Sequence, residues 1–120
     1  MSNEKVTIRC ERWKSVKVTA PTGGLVAGQL YQVGYLIGMI VNDADVGEEA
    51  VMIYSAEKIV VAKTAGSGIA FAVGDKVYYD ESENEVTTHS TGNTLCGRAT
   101  EISAATDTTA EIDLHGDIIA

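Results

Sequence analysis

Proline is nearly missing from this chain, and aromatic residues are scarce. One proline, one phenylalanine and one tryptophan stand among 120 residues, and aromatics make up 6% of the total. A core built on stacked rings is therefore excluded, and Val, Ile, Leu and Ala must fill the interior. With one proline, turning falls to the 12 glycines. Cysteine is limited to Cys10 and Cys96, far apart and in no C-x-x-C spacing. That argues against a disulfide framework and a zinc ribbon, and two reduced thiols are the expectation. No apolar run is long enough to span a bilayer. The opening "MSNEKVTIRCERWK" is polar and carries no signal-peptide core. A protein made or assembled in a cytosol, with no membrane partner, is expected. Basic residues are also few: nine Lys and Arg face 17 Asp and Glu, for a net charge of −8. Such a surface repels phosphate backbones, so direct nucleic-acid binding is not expected.

What is present is β-structure. "KVTIRCE" (Lys5–Glu11) and "SVKVTA" (Ser15–Ala20) alternate polar and apolar residues. "QLYQVG" continues the alternation, and "YLIGMIVND" reads as a strand buried on both faces. Asn42, Asp43, Asp45 and Gly47 mark a turn. "AVMIYS" and "KIVVAK" read as two strands. A helix over Glu48–Lys63 is disfavoured because Ile59, Val60 and Val61 are consecutive and β-branched. Lys76–Tyr79, "NEVTTHS", "LCGRATEIS" and "DTTAEIDLHG" complete the pattern. An all-β fold is predicted: a small β-barrel or sandwich of roughly nine or ten short strands. "TAPTGGLVAGQLYQV" is echoed by "TAGSGIAFAVGDKVYY", and "LIGM" by "LCGR". Either two related β-units or mere repetition of turn chemistry produces such an echo.

The motifs for chemistry are not there. "TAPTGGLVAGQLYQVG" (Thr19–Gly34) is glycine-rich, but a phosphate loop needs a Gly-Lys step opening a helix. Gly66-Ser67-Gly68 begins a dinucleotide fingerprint without completing it. His89 and His115 form no ligand spacing with the cysteines, and "NDADVGEE" (Asn42–Glu49) lacks the spacing of a calcium loop. No G-x-S-x-G elbow occurs. No catalytic residue, metal ligand or cofactor is nominated, and an enzyme is not expected.

The start of the chain points to surface binding. Residues 1–14 are read as an N-terminal arm and residues 15–120 as a single β-domain. Val6 and Ile8 supply apolar contact, the one tryptophan, Trp13, is flanked by Arg12 and Lys14, and Arg9, Arg12, Lys14 and Lys17 make a basic patch. Such a segment is suited to adding to another protein's sheet edge or matching an acidic surface. Trp13 is otherwise suited to covering the domain's own core.

"VKVTAPTGGLVAGQLYQVGYLIGMIVNDADVGEEAVMI", "KTAGSGIAFAVGDKVYYD", "VTTHSTGNTLCGRA" and "TTAEIDLHG" together resemble the small tailed-phage capsid decoration, or cement, proteins. The resemblance runs from about Ser15 onward. It departs at "YSAEKIVVAK", where the family often has a glycine near Ala56 or Glu57. It implies a β-barrel or sandwich that sits as homotrimers on the outer surface of the expanded head. It also implies that the major capsid protein is the partner. Other virion positions, in the tail or neck, and a small ligand-binding barrel are the alternatives.

Overall fold

The computed structural model describes residues 13–66 and 68–116. Eight strands occur among them: β1 (Trp13–Thr19), β2 (Leu30–Val33), β3 (Leu36–Ile40), β4 (Glu49–Ala62), β5 (Lys76–Asp80), β6 (Glu85–Thr87), β7 (Thr94–Ala99) and β8 (Thr109–His115). No helix occurs among the described residues. The strands form one antiparallel sheet in the order β2-β3-β4-β8-β7-β5-β6, with β1 also paired to β4. A parallel bridge from Lys63 to Val86 nearly closes the β4-to-β6 part into a barrel. The all-β reading holds.

The strand count differs from the sequence expectation for two reasons. The Lys5–Glu11 segment lies outside the described residues. "AVMIYS" and "KIVVAK" are one continuous 14-residue strand, β4. No Gly, Pro, Asn or Asp stands between Ser55 and Lys58 to break it. The chain instead absorbs an extra residue as a bulge between Ala56 and Ile59 on the ladder with β8. Lys58 takes a left-handed backbone there, with φ 54°, where glycine would sit at lower cost. Its N–H donates to Asp113 Oδ1 at 3.0 Å.

The echo in the sequence is a structural repeat. In the first unit Gly28 N–H donates to the Ile40 carbonyl at 2.7 Å, and Ile40 N–H to the Gln29 carbonyl at 3.0 Å. In the second, Gly74 N–H donates to the Ala99 carbonyl at 2.8 Å, and Ala99 N–H to the Asp75 carbonyl at 2.9 Å. The isolated bridge Leu25–Ala44 is matched by Phe71–Ser103. Tyr31 opposite Gly38 is matched by Val77 opposite Gly97. Val18 opposite Ala50 is matched by Val61 opposite Ala110. The first unit is thus β1, β2, β3 and the first half of β4. The second is the second half of β4 with β5, β7 and β8. β4 belongs to both, and β6 is an addition to the second unit.

Each unit has its own apolar cluster. The first gathers Ala20, Leu25, Ile40, Ala44, Ala50 and Met52. The larger second one includes Val61, Phe71, Val77, Tyr79, Cys96, Ile112 and Leu114. Leu30 and Ile37 of the first unit also join the second cluster. The register explains how: Ile40 pairs with Met52 and Met39 with Ile53, so neighbouring pairs face opposite sides. Ile40 and Met52 meet the first core, while Met39 packs on the second.

Candidate functional site

β1 is an edge strand, exposed along nearly its whole length. Among the described residues it pairs only with β4, from Trp13 opposite Ala56 to Thr19 opposite Glu49. Alternation sends Lys14, Val16 and Val18 to one face, where Val18 packs on the first core. Trp13, Ser15 and Lys17 go to the other. The register slips between Lys14 and Ser15, so that Tyr54 of β4 has no partner on β1.

This slip and the Glu57–Lys58 bulge leave an open groove of about 550 Å³. Trp13, Ile53, Ala56, Glu57, Lys58 and Ile59 line it. Trp13 is 54% exposed and belongs to neither core cluster. It forms a groove wall, and the reading of it as a cover for its own core does not hold in the described residues. Five of the described cationic side chains are exposed, and three of them, Lys14, Lys17 and Lys58, lie on β1 or at the bulge. The groove is apolar in most of its walls, with Lys58 and Glu57 in its lining and Lys17 further along the Trp13 face of β1.

Of the surface residues expected from the sequence, Trp13 and Lys14 are thus placed together on an exposed strand. Val6, Ile8, Arg9 and Arg12 lie outside the described residues. Sequence reasoning did not assign Ile53, Lys58 or Ile59 to a binding surface. They reach the groove through the β1–β4 register and the bulge, and neither leaves a local signature.

The other groups singled out by the sequence are structural. Asp43 Oδ1 accepts the Ala27 N–H at 2.8 Å, and Glu48 Oε1 accepts the Asp45 N–H at 2.9 Å, so the "NDADVGEE" carboxylates brace turns. The opening glycine-rich stretch is a corner: Leu25 exchanges backbone hydrogen bonds with Ala44 at 2.8 and 3.0 Å. Cys96 is free and buried, and burial pushes its thiol up to about 12. Burial also raises the Tyr79 hydroxyl, which donates to Asn84 Oδ1. His89 and His115 are exposed. Among the described residues no group of three or more His, Cys, Asp or Glu is placed to hold a metal ion. Nor is any helix among them long and apolar enough to cross a membrane.

The fold and this surface define an all-β module whose distinctive feature is an edge strand beside a mostly apolar groove. A family model described as phage cement protein matches residues 10–114. The chain belongs to the phage cement protein family, and is thus a structural component associated with the phage capsid. No curated protein and no solved structure matches it.

Proposed function

We propose that this protein decorates the outer surface of the expanded phage head as homotrimers and stabilises contacts between major capsid subunits. The observation that carries the reading is the family match over residues 10–114. The exposed β1 edge supports it. A strand with one unpaired edge offers backbone donors and acceptors to a partner, and Trp13 offers a large apolar anchor beside them. Trp13 and Lys14, with Val6, Ile8, Arg9 and Arg12 of the arm, are the contact residues of this reading, toward shell or sister subunit. Short strands and tight turns lose little conformational entropy on docking. Three linked copies multiply weak contacts into avid attachment.

Purified protein is expected to bind expanded heads that lack it and to raise the temperature at which they rupture. Bound protein that leaves rupture unchanged sinks the stabilising role. Labelled protein found only at the tail in electron micrographs would place it elsewhere in the virion.

A further inference from the structure

Two exposed surfaces of this chain each present apolar side chains beside charges, of opposite sign on the two. The first is the groove between β1 and β4, with its Trp13, Ile53 and Ile59 walls and Lys58 beside them. The second is the end of the first unit, formed by the β1–β2 and β3–β4 loops held together at the Leu25–Ala44 bridge. Val46 projects there with 62% exposure, and Val41 with 51%. Asp43, Asp45 and Glu48 surround them, all exposed. Residues 20–29 and 41–48, which make this end, contain no Lys or Arg. The matching end of the second unit is less negative. Arg98 Nη1 donates to the Gly74 carbonyl at 3.1 Å there, and Lys76 follows Asp75.

We infer that the groove of one copy receives the Val46 end of a second copy, as the subunit contact of a head-to-tail ring. The inference rests on the homotrimer reading above and names its two surfaces. An aliphatic side chain flanked by carboxylates fits an apolar groove flanked by ammonium groups, and the groove volume admits it easily. The two patches differ, so the contact is heterologous and leaves the assembly one free groove and one free end until the ring closes. Glu57 in the groove and Glu49 at the start of β4 oppose the attraction. Lys58 in the lining and Lys17 on the same face of β1 outnumber Glu57 around the groove itself.

Light scattering on the eluting full-length protein, across concentration and salt, tests this. The wild type is expected to form a closed oligomer that weakens as salt rises. Asp45→Lys and Lys58→Glu are each expected to weaken assembly about tenfold, and the double variant to recover most of that loss. Among the described residues neither side chain carries a hydrogen bond, and melting curves check that the variants stay folded. A wild type that is monomeric at every concentration overturns the contact. So does an oligomer indifferent to both reversals, or single losses that the double variant does not recover. If Asp45→Lys leaves the oligomer intact but abolishes binding to heads, that end meets the shell. The contact is then wrong while the decorating role stands.

Discussion

Where the first unit places Ala20, the second places Lys63. Both backbone amides make the same contact, Ala20 N–H to the Glu48 carbonyl and Lys63 N–H to the Thr108 carbonyl, each at 2.8 Å. The side chains differ completely. Lys63 is 1% exposed, and its ammonium donates to the carbonyls of Thr64, Ala105 and Asp107 at 3.0, 3.4 and 2.9 Å. It pins the loop before β8 and stands at the bridge to β6. Ala20 does neither. The second unit is further enlarged by Phe71 where the first has Leu25, and by the β5–β6 hairpin. One hydrogen-bond plan thus supports a nearly closed barrel in one half and an open edge in the other. The open half carries Trp13, Val16 and Tyr35, exposed at 54%, 38% and 79%. The closed half exposes Val73 and Ile102 as well, so the difference lies in the backbone: closure pairs the strand edges, and an unclosed edge keeps donors and acceptors available for a partner.

The sharpest way to break this contrast is Lys63→Met. Three carbonyls lose a charged donor, and the loss expected is about 3–5 kcal/mol in denaturant unfolding. A Met variant as stable as the wild type would show that apolar packing, without the amine, closes the second unit.

Next come the matched glycines. A Cβ at Gly97 would collide with the backbone carbonyl of Asp113. At Gly38 it meets the Met52 side chain, which can turn aside in part, though the Ile53 carbonyl lies at 2.6 Å. Gly97→Ala is expected to cost about 2–3 kcal/mol and Gly38→Ala about 1–2 kcal/mol. The reverse order, measured by thermal melting, would mean that β7 and β8 separate more readily than β3 and β4.

The third test is alkaline. The Cys96 thiol is pushed up to about 12 by burial, while in the unfolded chain it ionises near its ordinary value of about 8.5. Below that pH both states hold the proton. Above it only the unfolded chain releases it, so stability falls as pH rises, by up to about 1.4 kcal/mol per unit until the folded thiol ionises too. The raised Tyr79 hydroxyl, also in the second core, acts in the same direction. Cys96→Ala should flatten the slope of stability between pH 9 and 10. An unchanged slope would assign it to other groups.

The smallest effect on stability belongs to Trp13→Ala. More than half exposed, this side chain should cost less than about 1 kcal/mol when removed. Attachment to heads should drop at least tenfold, as for an interface anchor. A large fall in melting temperature with attachment unchanged would return Trp13 to the fold.

Much of the architecture was legible because it is written in local alternation. Val16 and Val18, Ala110, Ile112 and Leu114 repeat every second residue, and the strands follow. The turn at Asn42–Gly47 was legible through its residue types. The join of β4 was not. A bulge with a lysine at positive φ answers to the carboxylate of Asp113, 55 residues away, and no local pattern announces such a partner. The repeat was visible only as an echo, because most matched positions, such as Ala20 and Lys63 or Ile40 and Ala99, differ in side chain and share only backbone hydrogen bonds.

Composition and periodicity alone determined an all-β chain turned by glycine, with an acidic surface and a lone tryptophan near its start. Those are properties of side chains and their neighbours along the chain. Tertiary structure decided that β4 serves two units, that Lys63 is buried against three carbonyls, and that Trp13 faces a groove made with Ile53 and Ile59. Each of these depends on which strands become neighbours and in what register. That is settled by the burial of apolar faces against one another, a property of the whole fold.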